Sequence, residues 1–247
     1  MRREMISGLF TMLLVLGTSG DGFALELDMS AGVGAGGAMG ATDCDAKSGE
    51  LRHALVAGVC MDWYFLRWGG VSLGLSTGAD FSSLNYRGFT EGLPNPAYQQ
   101  FGGPAATHRT ADTRYNYINF PFLAVGKVAL CGTRSVTLRA GGFASYFLGG
   151  VSDLTYNPEI GMATGYPFDV YTDGSVDLDD SNTEQWMWGL RLYAGTDVFT
   201  RGRISLIPGI QFDMGLTDIS IDSVQPLPSK DTFWALTANL GLRYRLY

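Results

Sequence analysis

The chain has 247 residues, of which 46% are hydrophobic and 17% charged, with 34 glycines and a formal net charge of −7. The acidic balance argues against nucleic acid as a partner, because a phosphate-binding footprint is basic, and no run of about 18 apolar residues exists to form a membrane helix. Three cysteines, Cys44, Cys60 and Cys131, have no metal-like spacing and are too few for a disulfide framework, so free thiols or a single pair are expected.

The first element is an export signal. Arg2 and Arg3 precede an apolar stretch from Met5 to Gly17, and the small residues that follow end in Gly22-Phe23-Ala24. A charged start, an apolar centre and small residues at the cut predict a secretory signal peptide over 1–24, leaving 25–247 as one domain. The first cysteine after the apolar run is Cys44, too distant for a lipid anchor at the new N-terminus.

From Leu25 the pattern has period two. In LELDMSAGVGAG, Leu25, Leu27, Met29, Ala31, Val33 and Ala35 alternate with Glu26, Asp28, Ser30, Gly32, Gly34 and Gly36. That is a strand signature, but long for a soluble sheet and with glycines and acids sharing one face. The pattern recurs in His53 to Phe65, Val71 to Phe81, Val136 to Gly149, Glu184 to Val198, Ile204 to Leu216 and Phe233 to Tyr247. Tyr115 to Leu130 is apolar in both phases around Pro121, so it reads as an eighth strand whose register the pattern leaves open.

The connections alternate in length. LRWGG, CGTRS and FTRG are hairpin-sized, whereas those near 37–52, 82–113, 150–183 and 217–231 are long, polar and rich in Gly, Pro and Asn. Short turns on one rim, long loops on the other and strands apolar on one face predict an all-β, antiparallel, up-and-down transmembrane barrel of eight strands, ten being the alternative. An even number of strands puts both termini on the short-turn rim, expected to be periplasmic. Eight strands enclose a space that side chains fill, so the inner phase should be small or mutually paired.

Two residue sets follow from this frame. Rings at strand ends should form the interfacial girdles: Trp63, Trp68, Trp186, Trp188, Trp234 and Tyr244, with Phe81, Tyr115 and Tyr146 also at the loop ends. Glu26, Asp28, Asp62, Lys127, Arg139, Asp197, Arg243 and Arg245 should point inward near the short-turn rim, four acids against four bases, as a charged plug of the lumen. If the first and last strands close the barrel, Arg243 and Arg245 lie beside Glu26 and Asp28.

Two stretches carry a family resemblance. LGLRYRLY, with Trp234, Leu236, Ala238, Leu240, Leu242, Tyr244 and Leu246 in one phase, resembles the aromatic-rich final strand that the barrel-assembly machinery recognises in outer-membrane proteins. YINFPFLAVGK, Tyr117 to Lys127, is similar to a Tyr-x-x-Ile-Pro-x-Leu strand of the small outer-membrane β-barrels of the OmpX, OmpA and OmpW type. The resemblance implies a bacterial outer-membrane location, lipid and the assembly machinery as partners, and no catalytic residues.

Rival chemistries are poorly supplied. The segment from 151 to 184 holds Asp153, Glu159, Asp169, Asp173, Asp177, Asp179, Asp180 and Glu184 without a Lys or Arg. Yet DVYTDGSVDLDD lacks EF-hand spacing, and a solvated or partner-binding loop is the plainer reading. Within it, Asp173-Gly174 between alternating residues reads as a hairpin extending beyond the membrane. A barrel enzyme acting on lipid would need a histidine placed beside a serine or acid, and only His53 and His108 exist. A lipocalin-like soluble barrel would turn its apolar phase inward, against the glycines and charges here. The expected role is therefore non-enzymatic, without cofactor or metal: a surface-exposed barrel serving envelope structure or a host or extracellular partner. A channel for small or hydrophobic solutes is the alternative.

Overall fold

The computed structural model describes residues 26–42, 50–94, 106–130, 134–157, 174–179, 183–217 and 231–246. The expected signal peptide, Cys44, Cys131 and Asp173 lie outside the described residues. The strands are β1 (Glu26–Thr42), β2 (Glu50–Trp68), β3 (Val71–Pro94), β4 (Ala106–Ala129), β5 (Ser135–Asn157), β6 (Gly174–Leu178), β7 (Trp186–Thr196), β8 (Phe199–Arg201), β9 (Ile204–Gly215) and β10 (Asp231–Arg245).

Eight of them form a closed antiparallel ring in the order β1, β2, β3, β4, β5, β7, β9, β10, and β10 returns to β1 through a register from Asp28↔Arg245 to Thr42↔Asp231. Closure leaves no unpaired edge, which a lipid environment demands. The other two strands do not enlarge the ring. β6 pairs with β5 above it, and β8 continues β7 past Asp197 and Val198 while still pairing with β9. Gly174 thus opens a strand that lies against β5.

Short turns and both ends of the ring share one rim. Between β2 and β3 two residues suffice, Gly69 at φ 54° and Gly70 at φ 94°, a conformation that twists with the strands and that only glycine adopts without strain. On the opposite rim β3 and β4 run 24 residues each, so the segment expected as a loop over 82–113 is largely a two-stranded extension. Their pairing continues from Ser83↔Asn116 to Pro94↔Ala106. On this extension Arg87 donates to both oxygens of Asp112 at 2.7 and 2.6 Å, holding that carboxyl below the usual carboxylate range. Any stabilisation is complete above the ordinary carboxylate pKa and lost as pH falls through the lowered one. With Asp112 42% exposed it amounts to less than about 1 kcal/mol.

The apolar phase faces outward. Leu75, Leu192 and Leu240 are exposed on the wall, as are Val33, Val59, Phe122, Leu138 and Ile210. The register left open for β4 is settled by burial: Tyr115, Tyr117, Leu123, Val125 and Lys127 point in, while Phe120, Phe122 and Val128 point out. The inward phase is wider in character than expected, as Gly189 illustrates: a Cβ there would strike the Phe143 ring and the Met214 carbonyl.

Two substitutions separate the faces. Leu192→Arg, at mid-wall, should destabilise the barrel by about 2–4 kcal/mol in refolding titrations in lipid vesicles. Gly189→Val should lose about 1–3 kcal/mol by overpacking, with no charge involved. A neutral Leu192→Arg would show that this face does not meet lipid.

Candidate functional site in the lumen

The lumen is layered. At the short-turn rim Lys127 Nζ, from β4, reaches across to Glu26 at 2.6 Å and Asp28 at 2.9 Å on β1. Beside them Arg243 Nη1 donates to Asp197 at 3.0 Å and Nη2 to Thr137 at 2.8 Å, while Ser135 donates to the same Asp197. Arg139 grips Asp62 through two hydrogen bonds of 2.9 and 2.7 Å and lies over the Tyr193 ring.

Above this layer the interior holds a cavity of about 100 Å³ whose lining includes Ser30, Cys60, Gln211, Asn239, Arg139 and Arg191. Cys60 is a free thiol 3.0 Å from the Ser76 hydroxyl. Over the cavity Arg191 is clasped by two carboxylates. It donates to Asp213 at 2.6 and 2.9 Å and to both oxygens of Asp80. Gln211 donates to Asp213 at 2.7 Å, Asn119 to Asp80 at 2.6 Å, and Ser145 to the Asn119 carbonyl at 2.5 Å. Each amide is thus oriented by its neighbours.

The outer end is apolar. Tyr115, Tyr117, Phe143, Phe147, Met187 and Phe233 form a buried cluster with Leu84 and three alanines, and the partly buried Tyr86 and Leu178 pack against it. Rings stack from Tyr86 to Tyr115 at 5.5 Å, Tyr115 to Tyr117 at 6.1 Å and Tyr117 to Phe233 at 6.4 Å, crossing the lumen from β3 to β10. Phe143 joins the two layers, its ring lying 5.2 Å from the Arg191 guanidinium. No group of metal-binding side chains occurs among the described residues.

An outer-membrane β-barrel domain model matches residues 24–220. The chain belongs to the outer-membrane protein β-barrel domain family. Membership places the chain in the bacterial outer membrane with its wall in lipid. No curated protein matches it by sequence. Among solved structures it is similar to outer-membrane protein OprG of Pseudomonas aeruginosa, at 10% identity over 91% of this chain and 97% of that one, TM-score 0.45. It is similar also to Neisserial surface protein A, at 11% over 88% and 96%, TM-score 0.43. A third likeness is to a major outer-membrane protein of Thermus thermophilus, at 13% over 89% and 99%, TM-score 0.43.

Within this family barrel the eight rim charges come together as follows. Asp28, Asp62, Lys127, Arg139, Asp197 and Arg243 are buried inside, Glu26 is partly covered, and Arg245 sits on the rim with 45% exposure. The closing seam carries Arg245–Glu26 at 3.4 Å and Arg243–Asp28 at 3.7 Å. The shorter contacts, though, run across the lumen, to Lys127 and Asp197. Trp63, Trp68, Trp186, Trp188 and Tyr244 are exposed on the wall and Trp234 partly so, with Tyr146 edge-on to Trp186 at 5.1 Å. Tyr115 is a correction: expected in the outer girdle, it points into the lumen because β4 turns its odd residues inward.

Two groups of lumen side chains lie outside the sequence expectation. Asp80, Arg191 and Asp213 lie in the glycine and polar phases of their strands, so their inward facing is readable, but they sit deeper in the barrel than the rim charges. The aromatic layer had a weaker signal, since Phe143, Phe147 and Phe233 occupy the inner phase of strands whose outer phase is also apolar.

The depth of each charge sets a testable contrast. Arg243→Met strips the buried Asp197 of its guanidinium and should cost about 3–5 kcal/mol. Arg245→Met, half exposed, should cost less than about 1 kcal/mol. Equal losses in vesicle unfolding titrations would mean that both arginines meet water alike.

Proposed function

We propose that this barrel is a non-enzymatic outer-membrane protein with a closed lumen, which acts through its long-loop rim on the envelope surface or on an extracellular partner. The observation that carries the reading is the double filling of the interior, an ion-paired layer below and an aromatic layer above. An eight-stranded interior is about wide enough for side chains to fill, and here inward groups from all eight strands of the ring meet within it. The eight rim charges act, on this reading, as a plug.

Chemistry finds little foothold. His53 is exposed on the outer wall and has no acid or hydroxyl partner among the described residues. Specificity falls instead to the β3–β4 extension and the acidic connections. The extension faces outward and both termini lie in the periplasm, with β10 the strand read by the barrel-assembly machinery. A channel for small or hydrophobic solutes is the second reading, favoured by the central cavity of about 100 Å³.

Two experiments test this. Refolded protein in planar bilayers should show no steady conductance, and step openings in the unmodified protein would favour the channel. Tags inserted at positions 95, 172 or 225 should be reachable on intact cells and tags at 68, 133 or 201 should not. Labelling of the short turns would reverse the orientation.

A further inference from the structure

The two rims differ in charge more sharply than the lumen requires. The protein is acidic overall, and its long connections hold Asp and Glu in excess. The short-turn rim holds the reverse. Arg67, Arg134, Arg201 and Arg203 stand exposed on its three hairpins and form no ion pair with another described residue. The carboxylates at that level, Glu26, Asp28 and Asp197, turn inward and are engaged by Lys127 and Arg243. Trp68, 82% exposed, follows Arg67, and Phe199, 74% exposed, lies two residues before Arg201. An exposed ring beside an arginine is the arrangement that seats apolar surface in acyl chains while the cation reaches the headgroup plane.

We propose that this arginine ring is a binding surface for the phosphate groups of anionic phospholipid in the leaflet that meets the short turns. Charge complementarity carries the assignment. Four guanidiniums without an ion pair among the described residues, each able to take a phosphate through two parallel hydrogen bonds, border a lipid-embedded wall, and no outward carboxylate among those residues competes with the phosphates there. The surface does not depend on the state of the lumen or on which side of the membrane the rim lies. It also supplies a vertical anchor, since the guanidiniums fix the depth at which Trp68 and Phe199 meet the interface.

The test uses the refolded protein in phosphatidylcholine vesicles, with electron spin resonance reporting the association of spin-labelled phosphatidylglycerol relative to spin-labelled phosphatidylcholine. The intact protein should prefer phosphatidylglycerol by about fivefold at low salt and lose most of that preference in about 1 M NaCl. The quadruple variant Arg67→Gln, Arg134→Gln, Arg201→Gln, Arg203→Gln should show no preference, and the matching quadruple Lys variant should keep part of it. The salt titration of the unmodified protein and the Lys variant decide the matter even if the Gln variant refolds poorly. Absence of a preference in the intact protein, a salt-insensitive one, or one that survives in the folded Gln variant would overturn the proposal. Arginine-dependent capture on purified cell-wall sacculi without any lipid preference would overturn it in favour of an acidic wall polymer.

Discussion

Arg191, clasped by Asp80 and Asp213 in the middle of the barrel, expresses the constraint on which the rest of the structure depends. A closed ring of eight strands leaves an interior that its own side chains must fill, and a wall apolar on the outside throws every polar position inward. Charges placed there are out of reach of bulk water, so each needs an opposite charge or a ring of donors within hydrogen-bond distance. The chain meets that need by distributing partners around the ring. Lys127 from β4 serves β1, Arg139 from β5 serves β2, Arg191 from β7 serves β3 and β9, and Arg243 from β10 serves Asp197 beyond β7. Such contacts report on closure, because none of these pairings survives if the ring opens or a strand slips by one residue.

The period of two was enough to show the ring, because lipid on one side and packed polar groups on the other impose the same alternation on every strand. Which strand ends are loops was less legible. Residues 82–113 look like a loop by composition, rich in Gly, Pro and Asn, yet β3 and β4 pair through most of them since two long polar strands support each other without an apolar face. The rim charges were legible as a set, through phase, but their partners were not: the sequence shows neighbours in the ring, whereas Lys127 and Glu26 meet across it. Tyr115 and Tyr117 lay hidden for a related reason. Pro121 and apolar residues in both phases erase the alternation of β4, and only burial decides which side is in.

The layers divide the labour of the molecule. Ion pairs at the short-turn rim and around Arg191 define register, the central cavity separates these two sets of pairs, and stacked rings close the outer end. The two rims are chemically unlike. One is an extended surface built on β3 and β4 beside connections rich in Asp and Glu, and the other a tight belt of arginines and aromatic rings.

The claim that buried charges act as mutually dependent pairs is tested most directly at Arg139 and Asp62, whose principal charged partners are each other. Unfolding titrations in lipid vesicles on Arg139→Met, Asp62→Asn and the double variant complete a double-mutant cycle. The account predicts a coupling larger than about 1 kcal/mol, the two single losses together exceeding the loss of the double variant, because either single change strands a buried group. Strictly additive losses would contradict it, and would mean that these side chains face water independently inside a wetter lumen.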